Sequence, residues 1–261
     1  VTALNTAGAT TLNFNGTATT TPAFAQAVTL TDGNALGLGT LSGGSIAASG
    51  FVAGVGTASV SYAFTTKATA PQSLLLRAGN GAAGTALVSS LGGTEATLPL
   101  RSGRLRLSNA FGSATAALQL AAVTEYWNGS AWLLNSADSC TSLAGASVAL
   151  SNPRSATGAA STATSSAGAL AIANGSGNLT LAAPSPAGSS LSLDVALNLG
   201  STGTDQSCQA AHPATSGAAR PWLRAQNGSC SAASDRDPAA RASFGIFAPE
   251  TRKTIHVRDI F

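Results

Sequence analysis

The chain has 261 residues, a length that as a prior corresponds to roughly two domains. Only 9% of them are charged, against about 25% in an average soluble domain, while 44% are hydrophobic and the formal net charge is +3. That balance excludes a chain held disordered by charge repulsion. Aromatic residues make up 5%, glycine occurs 29 times and methionine not at all, so the cores are built thinly from small residues and the surface is rich in hydroxyls. No apolar run approaches the roughly 18 residues of a spanning helix, so no membrane-spanning segment is predicted. The isoelectric point near 9.1 rests on thinly scattered arginines rather than a dense basic stripe, so nucleic acid is not an expected partner. The chain opens at Val1 with no initiator methionine and no basic-then-apolar leader, and is read as a processed product or a segment of something longer.

In chain order, period-two alternation predicts strands over residues 12–15, 25–31, 57–66, 73–78, 104–108 and 114–120. It predicts further strands over 147–151, 178–182, 190–200, 242–247 and 254–261. The stretch 190–200 is the strictest, with Leu191, Leu193, Val195, Leu197 and Leu199 on one face and a polar opposite face expected to meet water or a partner. No helical segment is long enough to link parallel strands, so the predicted class is all-β, two antiparallel β-sandwich domains of immunoglobulin-like or jelly-roll-like form. The Gly-rich piece 89–97 is the best linker, which sets the domains at 1–94 and 95–261. Residues 155–168 are rich in Ala, Ser and Thr without periodicity and read as an exposed loop.

Residues that carry chemistry are few. Gly79, Gly81 and Gly84 form G-x-G-x-x-G after a strand, but neither the helix nor the later acid of a dinucleotide site follows, so the motif reads as a glycine loop. There is no nucleophile elbow, and neither Lys67 nor Lys253 lies in a phosphate loop. His212 before Pro213 reads as an exposed loop residue and His256 as the solvent face of a strand. Asp235 and Asp237 are the one close carboxylate pair, Asp237 reading as a turn residue before Pro238. No enzyme activity is predicted.

Asn128-Gly129 between alternating strands predicts a two-residue type I′ hairpin that sets Trp127 opposite Ser130 and Glu125 opposite Trp132. Both tryptophans then share one face with Glu125, as core filling or as a sugar-stacking platform. The motifs at Asn15, Asn128, Asn174, Asn178 and Asn227 match a glycosylation signal, and four of the five read equally as Asn-Gly turns. Cys140, Cys208 and Cys230 form no C-x-x-C pair and fit one disulfide in an oxidising compartment, with three single pairings open.

The segment Leu100-Arg-Ser-Gly-Arg-Leu-Arg-Leu-Ser-Asn-Ala-Phe-Gly-Ser113, then Glu125-Tyr-Trp-Asn-Gly-Ser-Ala-Trp132 and Asp138-Ser-Cys-Thr141, resembles the C-terminal domain of the MSHA pilus biogenesis protein MshQ family. Pro221-Trp-Leu223, Asp237-Pro-Ala-Ala-Arg-Ala-Ser-Phe-Gly-Ile-Phe247 and Val257-Arg-Asp-Ile-Phe261 are similar to that family's closing pattern, and residues 1–94 resemble its preceding immunoglobulin-like repeat. The resemblance implies a surface or secreted protein of a Gram-negative bacterium, found with type IV pilus genes. It also implies an Asp-rich, calcium-like loop between the Pro-Trp-Leu and Asp-Pro motifs, but here residues 224–234 hold no acid. Calcium wants six to eight oxygen ligands, carboxylates among them, so no cofactor or metal is predicted. The stretch between Cys208 and Cys230, which contains Pro213 and Pro221, overlaps that loop and is short of strand pattern, is predicted to be closed by a disulfide between those two cysteines, with Cys140 outside.

The expected function is therefore a non-enzymatic, extracellular or cell-surface structural or adhesive protein associated with MSHA-like pilus biogenesis. Its partners would be pilus or other surface components, or further copies of itself. One alternative is a carbohydrate-binding module using Trp127, Trp132 or Trp222, with glycans as partner. Another is a filament or sheath subunit joined by strand exchange, in which Ile255, Val257 and Phe261 form an assembly strand.

Overall fold

The computed structural model describes residues 1–16, 24–81, 87–209, 212–227 and 230–246. Among them the chain is all-β: the only helical pieces are three-residue 3-10 turns, and no helix is long and apolar enough to cross a membrane. It divides into two compact units, Val1–Gly103 with Tyr126–Leu133, and Arg104–Glu125 with Leu134–Phe261.

The first unit contains β1 (Val28–Asp32), β2 (Gly39–Ser42), β3 (Ser45–Ile46), β4 (Phe51–Val52), β5 (Val55–Gly56), β6 (Ser61–Phe64), β7 (Gln72–Gly79) and β8 (Ala96–Leu100). The antiparallel order β3-β1-β7-β8 forms its main sheet, with β2-β6 and the hairpin β4-β5 as separate two-stranded sheets. Phe51, fully buried, packs with Ala25, Val28 and Ile46, and Phe14 meets its ring edge-on at 5.0 Å. In β6, Tyr62 and Phe64 share a half-buried face with ring centroids 5.5 Å apart, as the alternation predicts. Residues 12–15, predicted as a strand, form none. β8 lies after the boundary expected near residue 95, and it pairs with β7 through Leu74↔Leu98, inside the first unit. Just before it, the Arg77 guanidinium, bonded at 2.9 and 3.1 Å, and the Ser89 hydroxyl hold the Glu95 carboxyl below its usual range.

The second unit takes β9 (Gly103–Leu107) from Arg104 on, β10 (Ala110–Gly112), β11 (Leu118–Trp127) as far as Glu125, β13 (Ser142–Leu143), β14 (Val148–Arg154) and β15 (Leu170–Ala171), while the end of β11 and the first two residues of β12 (Trp132–Leu134) belong to the first unit. The second unit continues with β16 (Ser176–Leu181), β17 (Leu191–Leu197), β18 (Ala225–Asn227), β19 (Ser231–Arg236) and β20 (Ala239–Phe244). One sheet runs β10-β20-β17-β14, antiparallel except where β10 pairs parallel with β20. The other sets β12 and β16 on one side of β11 and β9 on the other. Leu105, Leu107, Leu118, Leu120, Leu179 and Leu181 of the second sheet share one core with Leu191, Leu193, Val195, Leu197 and Phe244 of the first. Alternating inward leucines from both sheets in one cluster make a β-sandwich.

Two sequence readings need correction here. The outer face of β17 does not meet water: Asp194 is 7% exposed, and Ala196 and Asn198 are fully buried. Asp194 accepts from Arg241 of β20 and Asn152 of β14, tying β17 to both neighbouring strands, and Asn198 donates to Thr202 O and Thr215 Oγ1, tying loop to strand end. In the loop 155–168, most residues are exposed but Ala163 enters the core.

Candidate functional site

The Trp hairpin has a four-residue loop rather than the predicted two-residue turn. Asn128 N–H donates to Ala131 O at 3.1 Å, while the Asn128 side-chain oxygen accepts from Ser130 N at 2.8 Å and Ala131 N at 2.7 Å. A short side-chain amide competing with the backbone for the same donors is the reason. With Asn135 N–H on Thr124 O at 2.9 Å, the register sets Trp127 opposite Trp132, not opposite Ser130. The slip is even, so the two rings stay on one side, with centroids 5.6 Å apart and planes 57° from parallel. Trp127 Nε1 donates to Thr69 O at 2.9 Å, and on the other face Arg101 stacks 4.3 Å from the Tyr126 ring.

Glu125 is engaged by β9, its oxygens accepting from Arg104 Nε at 2.7 Å and Arg106 Nε at 3.3 Å. Trp222 sits apart from the hairpin in sequence, on the 3-10 turn Pro221–Leu223, 40% exposed and 5.5 Å from the Arg220 guanidinium. In that turn it is Leu223 that is buried.

Asp237 is not a simple turn residue. Its side chain is fully buried and accepts from Arg224 Nε at 2.6 Å and Nη2 at 3.2 Å, Gln206 N at 2.8 Å and Leu199 N at 3.3 Å. A carboxylate taking a bidentate arginine and two backbone amides holds loop to sheet and has no lone pair left for a substrate. Asp235 projects differently, 46% exposed beside Arg236. The two carboxylates of the close pair therefore do different work.

Asp138 repeats this pattern in the Asp-Ser-Cys-Thr segment, accepting from Thr141 Oγ1 at 2.8 Å, Thr141 N at 3.0 Å and Cys140 N at 3.2 Å. Burial by itself raises its carboxyl, but these bonds and the Thr124 hydroxyl outweigh it and hold the group below the usual carboxylate range. Its stabilising contribution is therefore complete above its unfolded value of about 3.9 and is lost as pH falls through the lower folded value. Urea unfolding of Asp138→Asn against wild type should give a stability gap that is constant from pH 7 to 5 and shrinks below about pH 4. A gap independent of pH would mean that the bonds do not favour the charged form.

Cys208 and Cys230 form the disulfide, with Cα atoms 5.9 Å apart, and Cys140 is free and exposed. Within the loop they close, His212 departs from the exposed residue expected. Its side chain is 4% exposed, with Nδ1 3.0 Å from both Asp205 oxygens. Ser207 Oγ is 3.5 Å from the same nitrogen, so the three do not form a triad, which needs the serine on Nε2. Gly84, Lys253, His256 and the assembly strand with Ile255, Val257 and Phe261 lie outside the described residues. Among the described residues no group of three or more His, Cys, Asp or Glu is gathered as a metal would require.

One cleft of about 200 Å³ opens in the second unit, lined by residues 104–107 of β9, Ala225–Asn227 of β18 and residues 236–239. Sequence reading missed it because its lining comes from segments far apart in the chain, and no side-chain motif marks such a place. Asp237 was missed as a clamp for a related reason: Arg224, Leu199 and Gln206 reach it only through the fold.

No curated protein and no solved structure matches the chain. The family model described as DUF6701, fourth domain, matches residues 101–260, which take in nearly all of the second unit, and the chain belongs to that family.

Proposed function

We infer that the chain is a non-enzymatic structural or adhesive protein of the bacterial exterior, working with type IV, MSHA-like pili in a Gram-negative cell and requiring no cofactor. The observation that carries this reading is how the buried carboxylates of the second unit are spent. Asp138, Asp194 and Asp237 each hold a loop or a neighbouring strand in place through several bonds. Catalytic carboxylates are instead poised toward a substrate. The Cys208–Cys230 bridge supports an oxidising exterior compartment. The likeness of the Arg-Leu-Arg, Glu-Tyr-Trp and Asp-Pro-Ala-Ala-Arg segments to the MshQ family supports the pilus association. The test is deletion of the gene in the source bacterium with antibody labelling of intact cells. Surface labelling together with loss of pilus-dependent attachment is expected, and a cytoplasmic protein or unaltered attachment and piliation would overturn it.

The Trp pair favours a second reading, a carbohydrate-binding module. Two half-buried indoles 5.6 Å apart on one hairpin could stack on the apolar face of a sugar. On that reading, Trp127→Ala and Trp132→Ala each lose glycan-array signal while Trp222→Ala keeps it. Absence of signal from the wild type would sink it.

A further inference from the structure

Asparagine is followed by glycine at residues 15, 80, 128, 174 and 227. In such a pair the glycine amide nitrogen can attack the asparagine side-chain carbon, because glycine carries no Cβ to obstruct the approach. The fold treats these pairs unequally. Gly16 N–H donates to Phe51 O at 3.1 Å and Gly175 N–H to Asp138 O at 2.8 Å, so both nucleophiles are held by carbonyls from distant segments. At Asn80 the side-chain NH2 that would have to leave donates to Gln26 Oε1. Gly228 lies outside the described residues. Gly129 N–H has no hydrogen-bond partner among the described residues, and a Cβ placed on Gly129 would meet only Ala70 Cβ, at 3.7 Å.

The carbon to be attacked is activated as well. The Asn128 side-chain oxygen accepts from Ala131 N at 2.7 Å, Ser130 N at 2.8 Å and Ser130 Oγ at 3.1 Å. Three donors on one carbonyl oxygen polarise its carbon, and they already stand where they stabilise the negative charge that this oxygen carries once a nucleophile has added. Residues 128–131 are exposed, so water reaches the loop.

We propose that Asn128 is a self-modifying site, at which the folded chain converts its own asparagine to aspartate and isoaspartate with water as the co-reactant. A bond forms between Gly129 N and Asn128 Cγ, the Cγ–Nδ2 bond breaks, and the proton from Gly129 N departs with that nitrogen as ammonia. Water then opens the cyclic imide, at the side-chain carbonyl to give aspartate or at the main-chain carbonyl to give isoaspartate. The aspartate keeps the loop, since a carboxylate accepts from the same amides. The isoaspartate lengthens the main chain by a methylene between Trp127 and Trp132. Either product sets a negative charge beside the indole pair.

The test ages the whole chain at mildly alkaline pH, folded and in denaturant, and follows each Asn-Gly pair by peptide mapping with an isoaspartyl methyltransferase assay. In the folded protein Asn128 should convert about tenfold or more faster than Asn15 and Asn174, and faster than it does itself in the denatured chain, where no donors are fixed. Ser130→Ala removes the hydroxyl donor and leaves the backbone donors of the loop. It should slow Asn128 by about fivefold, less than the loss of a donor costs in a site closed to water. Slower conversion of Asn128 in the folded than in the denatured chain would overturn the proposal, by showing that the bonds to the side-chain oxygen restrain it instead of activating it. Equal rates at Asn128 and Asn174 in the folded protein would overturn it too, as would an unchanged rate in Ser130→Ala.

Discussion

Replacing Asp237 by alanine should cost about 3–5 kcal/mol of stability, the range for removing one partner of a buried ion pair. The Asp237 side chain is fully buried and that of Arg224 13% exposed, so the variant leaves a guanidinium largely out of water without its counter-charge. It also strips the Gln206 and Leu199 amides of their acceptor. The effect is thus larger than an exposed pair would give, where about 0–1 kcal/mol is usual. Denaturant unfolding is the measurement, and Asp237→Ala combined with Arg224→Met should be less destabilised than Asp237→Ala alone, because the orphaned charge is gone. A loss within about 0.5 kcal/mol for the single variant would mean that water reaches the pair.

Cys230→Ser should lower stability by about 3 kcal/mol, from the entropy that a bridge removes from the unfolded chain across a separation of 22 residues. The loop it closes is also held by Leu223 in the core, by the Arg224–Asp237 pair and by backbone bonds from Ser216, Ala218, Ala219 and Arg220, so the bridge acts on the unfolded chain rather than as the loop's sole anchor. Reduced wild type should match the variant, and Cys140→Ser should change nothing, since Cys140 is exposed and unbridged. A non-reduced peptide map that links Cys140 would reassign the bridge. So would equal melting of oxidised and reduced protein, by showing that no bridge restrains the unfolded chain.

Asn-Gly occurs at both 128–129 and 174–175, and the two places show how far local chemistry reaches. At Asn174-Gly175 both φ angles are positive, 51° and 80°, and Ala173 and Ser176 exchange both backbone hydrogen bonds, the two-residue turn that the dipeptide favours. A Cβ on Gly175 would lie 2.6 Å from Asn135 O, so the packing there also demands glycine. At Asn128-Gly129 the Asn side chain takes the donors instead, the loop grows to four residues and Trp127 comes to face Trp132. The dipeptide predicts that a turn occurs. Which partner satisfies the donors depends on where the flanking strands are held.

The strand interiors were legible in the same way. Leu191, Leu193, Val195, Leu197 and Leu199 alternate because a half-buried strand must place every second residue inward, and all five lie in the core. Alternation, turn residues and the absence of long helical periods determined the all-β class by themselves, since each is a local property of the chain. The spacing of Cys208 and Cys230 across a stretch with little strand pattern also pointed to the bridge that forms. What lies on the far side of a strand is not local. Asp194, Asn198 and Asp237 read as solvent-facing or turn residues, and the fold buries all three by bringing Arg241, Thr215 and Arg224 to them from distant segments. Only tertiary structure could decide that, because a buried polar group is tolerated where partners converge on it, and convergence is set by sheet order and register rather than by neighbours in sequence.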